Sequence, residues 1–178
     1  MPVDPCPREL DPQELPPQDL DSRAQIHHLV VGFYREVVFD DLLEPVFSDV
    51  AEVDWAEHIP RLIDFWCRVL LGEPGYDGAI LAAHAQIHAR EPLRTEHCDR
   101  WYLLWVRTID DRWAGPVAER AKEHASRIMA MLARRVLGTE WTPPAGAERA
   151  HQELPAPASP GGWPRTVPGL RFGYLHDS

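Results

Sequence analysis

Residues 54–72 read DWAEHIPRLIDFWCRVLLG, and the spacing within this stretch decides the fold class. Ile59, Leu62, Ile63, Trp66, Val69 and Leu70 recur at three- and four-residue intervals, which places them on one face of an α-helix. Asp54 precedes the pattern with Glu57 three residues on, the arrangement of a capping box. Gly72 and Pro74 end it. Pro60 is the awkward residue: without an N–H it either kinks the helix or moves its regular start to about His58.

Working outward, the same period recurs on both sides. A helix is expected over about 20–39, with Ile26, Leu29, Val30, Phe33 and Val37 on its apolar stripe and Asp19 or Asp21 as its cap. A short turn follows from Leu42 to Phe47. Beyond residue 72, a YDG turn at 76–78 leads into a short helix over about 79–89. Further helices are expected over 96–112 and 116–137. The latter is opened by Gly115-Pro116 and closed by Gly138. No alternating strand pattern competes, so the fold class is all-α. The periodicity is confined to 19–138, which reads as one domain. Residues 1–18 are acidic and hold six prolines, and residues 139–178 are rich in proline and glycine; both read as disordered or loosely docked tails.

The bulk composition narrows the function. With 178 residues the chain is long enough for one real core. A net charge of −10 argues against nucleic acid and anionic membrane surfaces as partners, because both draw their affinity from basic patches. No apolar run is long enough to suggest a membrane span, and no basic, apolar leader pattern opens the chain. Three scattered cysteines without a CxxC spacing fit a reducing, cytoplasmic compartment better than a disulfide framework.

Nine histidines are the first candidates for chemistry. His27, His28, His97 and His124 fit solvated faces or caps, and His151 falls in the tail. His84 differs, because Ile80, Leu81 and Ile87 flank it on a short helix. An apolar surrounding favours the neutral imidazole, whose lone pair is what a metal ion takes. That pattern suits an axial ligand to haem iron, and it equally suits a histidine satisfied in a small core; His84 with His88 one turn on also has the spacing of a helical metal pair. His58, with Leu62 one turn later, fits either the mouth of a pocket or a plain rim residue. Tyr34 and Trp101 carry O–H and N–H donors that need partners if they point inward. The seven tryptophans, Trp66 among them, suit a core built around a large flat ligand as well as an ordinary one.

Four segments in one order, FYREVVFDDLLEPVF (33–47), DWAEHIPRLIDFWCRVLLG (54–72), YDGAILAAH (76–84) and RWYLLW (100–105), together resemble the group III branch of the truncated haemoglobins. The likeness covers about 20–138 and leaves the tails outside. It implies a truncated globin fold, a two-on-two helical sandwich around haem b (iron protoporphyrin IX). It also implies roles: His84 as the proximal iron ligand, Tyr34 as the distal tyrosine, Phe47 as the ring wedged against the haem and His58 as a distal gate. Leu62 would be the apolar position over the iron, Trp101 a donor to ligand, and Arg61 the partner of a propionate. Trp66 and Ile87 complete the expected cofactor contacts. The Gly-Gly pairs of other branches are absent from the domain, the one at 161–162 being in the tail. Cys98 stands where an aromatic residue is common, which would loosen the pocket or bring a thiol near it.

The resemblance thus implies binding of dioxygen and other diatomic ligands, with slow release. Nitric oxide dioxygenation is implied where a reductase supplies electrons. Two other readings use the same scaffold, a peroxidase-like haem enzyme and a gas sensor. Two more lie outside it: a non-haem metal bundle built on His84, His88 and His58 or His124, and a helical interaction module with no cofactor.

Overall fold

The computed structural model describes residues 18–76 and 78–147. Five helices account for most of them: α1 (Arg23–Val37), α2 (Trp55–Leu71), α3 (Ile80–Arg90), α4 (Thr95–Asp110) and α5 (Pro116–Leu132). Short π-helical turns follow α1 at Val46–Val50 and α5 at Ala133–Leu137. The described residues contain no strand, only one isolated bridge between Gln18 and Trp113. None of the helices among them is long and apolar enough to cross a membrane.

α1 lies against α2 and α4, and α5 lies against α4 and α2. Two helix pairs therefore face each other, the two-on-two arrangement that the resemblance implies. Ile26, Leu29, Val30, Phe33 and Val37 of α1 are all fully buried between them, as the stripe requires. Leu104, Trp105, Val106 and Ile109 of α4 meet them from the opposite pair. Salt bridges lace the same seam. Arg107 on α4 pairs with Glu36 on α1, and Arg100 Nε lies 2.5 Å from Oδ2 of the buried Asp40. The other oxygen of Asp40 accepts from Leu42 N at 3.2 Å and Leu43 N at 3.0 Å, so one carboxylate fixes the corner after α1 and ties it to α4.

α2 begins and ends where its local signals put it. Asp54 Oδ1 accepts from Ala56 N at 2.9 Å, and Gly72 closes the helix in the left-handed region at φ 74°. The helix runs through Pro60 from Trp55 rather than starting at His58. α1 departs from expectation. Its cap is Ser22, whose Oγ accepts from Gln25 N at 3.4 Å. Asp19 caps α5 instead, taking Val117 N at 3.0 Å and Ala118 N at 2.8 Å. Gly115 makes room for that carboxylate, since a Cβ there would lie 2.6 Å from Asp19 Cγ.

The domain also extends past residue 138. Trp141 is buried against Tyr102, with ring centroids 5.6 Å apart, and its indole N–H donates to Asp99 Oδ1 at 2.6 Å; Ala147 is buried as well. The segment 139–147 therefore belongs to the folded unit, because a large amphipathic ring there finds both an apolar wall and an acceptor. The remainder of the expected tails, 1–17 and 148–178, lies outside the described residues.

Candidate functional site

α3 carries His84 and is set apart from the two helix pairs. It rests chiefly on the π-helical turns at 46–50 and 133–137, and none of its eleven residues is buried. Ile80, His84, Ile87 and His88 are half-buried and Leu81 is exposed. Nδ1 of His84 lies 2.8 Å from the carbonyl oxygen of Ile80. A carbonyl only accepts, so Nδ1 carries the ring proton and Nε2 keeps its lone pair. Burial lowers the pKa of His84, against the opposing pull of that carbonyl, and so favours the neutral form.

His58, Tyr34 and Phe47 come together with Trp55. The Tyr34 ring lies 5.8 Å from Phe47, 5.7 Å from Trp55 and 5.9 Å from His58. Trp55 stacks on Phe47 at 5.7 Å with planes 21° apart and meets His58 edge-on at 6.0 Å. Tyr34 is buried; burial drives its phenol pKa well up, partly offset by a hydrogen bond with the Trp101 side chain. The indole is donor-only, so between these two side chains Trp101 is the donor and the Tyr34 oxygen the acceptor.

His58 is pushed down to about 4, first by burial and then by the charges of Arg61 and His84. It is neutral at neutral pH. Leu62, one turn on from His58, is half-buried. Arg61 is exposed, and no carboxylate among the described residues is bridged to it.

Trp66 lies in the core, 2% exposed, with its ring stacked on Trp105 at 4.4 Å. A wide helical stripe does not distinguish a residue that meets a ligand from one that meets the opposite helix. His124 is half-buried rather than solvated, with its ring 6.0 Å from Trp66. Cys98 is buried, and burial, with the charge of Asp99, pushes its thiol up to about 11, so it stays protonated and unreactive. Trp55 joins the group without a role having been assigned to it; its signal was its place among the tryptophans of the helical stretches, one turn before Ile59.

The rival metal pair finds no support. His88 Nδ1 accepts from Leu93 N at 3.1 Å, which makes it a helix-end partner. Among the described residues no group of three or more His, Cys, Asp or Glu side chains is placed to hold a metal ion. Two surface clefts, about 270 Å³ beside Asp49 and Arg90 and about 510 Å³ beside His27 and Ile63, have none of these site residues in their lining.

Comparison with known proteins points the same way. The chain is similar to a curated protein described as "Group 3 truncated hemoglobin ctb" from Campylobacter jejuni, with 27% identity over 118 residues; the match covers 62% of this chain and 91% of that protein. No family model matches the chain, and no solved structure matches it significantly.

Proposed function

We propose that this chain, a member of the group III truncated haemoglobins, holds haem b through His84 Nε2 and retains a diatomic ligand, dioxygen in particular, beside Tyr34. The observation that carries the reading is the His84–Ile80 hydrogen bond. It occupies the one ring proton, fixes the plane of the imidazole and leaves a lone pair on Nε2, as an iron ligand requires. The donor set fits the group: one neutral imidazole, an apolar helix face around it and an exposed arginine on α2.

Bound there, haem would supply an iron that lends electron density to a diatomic ligand. The chain's own residues do the rest. Arg61 would take a propionate. Phe47, Leu62 and Ile87 would form apolar walls that keep water out. Trp101 holds the Tyr34 oxygen and thereby aims the Tyr34 proton. His58, neutral and ringed by Tyr34 and Trp55, offers a donor or acceptor without placing a charge in the pocket.

A hydrogen bond to a partly charged acceptor contributes about 1.5–3 kcal/mol. That slows release by roughly 10- to 150-fold. Slow release suits chemistry on the retained ligand better than transport, and with a reductase as electron donor the reaction this favours is nitric oxide dioxygenation. Stopped-flow mixing of the ferrous, haem-loaded protein with dioxygen and then nitric oxide tests this. The reading expects an intense Soret band, slow dioxygen release and nitrate as product. Rapid release, or simple displacement of dioxygen by nitric oxide, would overturn it.

A further inference from the structure

Three indoles lie stacked through the middle of the bundle. Trp101 stacks on Trp105 with centroids 5.4 Å apart and planes within 12°, and Trp105 stacks on Trp66 at 4.4 Å and 21°. At one end Phe33 bridges Trp101 at 5.0 Å and Tyr34 at 4.8 Å. At the other, Phe65 bridges Trp66 at 5.2 Å and Tyr76 at 5.0 Å, and Tyr76 is half-buried with part of its surface in solvent. The chain of rings therefore runs without a gap from the candidate site to the surface beside α2.

Indoles and phenols are among the side chains that give up one electron most readily, and electron transfer weakens steeply with distance. A row of rings in contact conducts where one long jump would not. The protons are arranged to match. Trp105, fully buried, donates its N–H to the Ala121 carbonyl at 3.4 Å, an arrangement in which an electron could leave and return without a proton crossing the core. The one proton that must leave is the phenol proton of Tyr76, a half-buried residue.

We infer that Trp101, Trp105, Trp66 and Tyr76 form an electron relay that lets this protein reduce peroxide at the expense of thiols in solution. The inference rests on the haem reading above. Reducing one hydrogen peroxide to two waters at the haem takes two electrons and two protons. Each electron leaves Trp101 and is replaced in turn from Trp105, Trp66 and Tyr76, whose phenol proton passes to water. A thiol then returns a hydrogen atom to the tyrosyl radical. Two such passes turn two thiols into one disulfide, which balances the two electrons, while the two protons released at Tyr76 match the two taken up in forming water.

The test is to treat haem-loaded protein with one equivalent of hydrogen peroxide and a nitroso spin trap. Adducts are mapped by mass spectrometry and frozen samples are read by electron paramagnetic resonance. The relay predicts a tyrosyl radical and an adduct at Tyr76. Trp105→Phe, with its Soret band retained, should lower the Tyr76 adduct several-fold and leave oxidation on Tyr34 or Trp101. Tyr76→Phe should lower the tyrosyl signal several-fold and move oxidation onto the indoles. An unmarked Tyr76 in the wild type, or equal marking in Trp105→Phe, overturns the relay and leaves the haem reading intact. If Trp105→Phe does not fold, an unchanged tyrosyl signal in Tyr76→Phe overturns it alone. A protein that takes up no haem removes both readings.

Discussion

Tyr34 and Trp101 pack on the same Phe33 ring, with centroids 4.8 and 5.0 Å from it, and their donors make a quantitative prediction about ligand release if the Trp101 N–H is given to the Tyr34 oxygen. Tyr34→Phe removes the hydroxyl that would face the ligand and strands the Trp101 N–H without its acceptor. Losing a hydrogen bond to a partly charged group costs about 1.5–3 kcal/mol, so dioxygen should leave roughly 10- to 150-fold faster. Trp101→Phe leaves the hydroxyl in place but frees it to turn. Loss of a neutral hydrogen bond costs about 0.5–1.5 kcal/mol, or about 2- to 12-fold in release. Because Trp101 acts through Tyr34, the double variant should release ligand scarcely faster than Tyr34→Phe alone, a coupling of about 0.5–1.5 kcal/mol. The assay is displacement of dioxygen from the ferrous protein by carbon monoxide in a stopped-flow instrument. Effects that add to within about 0.5 kcal/mol would show that Trp101 acts on the ligand directly. Unchanged release in Tyr34→Phe would refute the role of the tyrosine.

Three further outcomes follow from the same geometry. Asp19→Ala should lower stability by about 1–2 kcal/mol in urea denaturation at pH 7, the usual cost of losing a helix cap. Burial raises the Asp19 pKa, but the backbone N–H groups of Val117, Ala118 and Leu20, with Arg120, outweigh it and the net value lies below 3.8. The cap's contribution is therefore present above pH 3.8 and is lost as pH falls through the lower folded value, and Asp19→Ala should lack that part of the acid loss. Trp141→Ala should cost about 3–5 kcal/mol in the same assay, as for other buried aromatic truncations. A chain ended at Gly138 should fare no better. His58 has a folded value of about 4 against 6.5 for an ordinary histidine. Its neutral form contributes stability above pH 6.5 that is lost as pH falls toward 4, and denaturation of His58→Gln across that range should show a flatter slope.

The helices were legible because their signals are local. α2 matches the sequence reading at both ends, since Asp54 and Gly72 act within one turn of themselves. Asp19 misled for the opposite reason: its partners at Val117 and Ala118 lie about a hundred residues away, and nothing in its own neighbourhood announces them. Trp141 sits in a proline-rich stretch with no periodicity, so its burial depends on Asp99 and Tyr102, which only the fold brings near. The candidate site was legible in its polar members. Tyr34, His58 and His84 stand out as polar or titratable groups in apolar surroundings. The aromatic members were harder, because Trp55 and Trp66 follow the same helical spacing yet one joins the His58 cluster and the other the indole stack.

The central claim is that His84 Nε2 holds the iron of a haem. Titrating hemin into wild-type protein and His84→Gly, with and without added imidazole, tests it most directly. The account predicts a stoichiometric Soret change in the wild type, loss or scrambling of that spectrum in His84→Gly, and its recovery when imidazole fills the place of the missing ring. A His84→Gly spectrum identical to wild type, or wild-type protein indifferent to hemin, would contradict it.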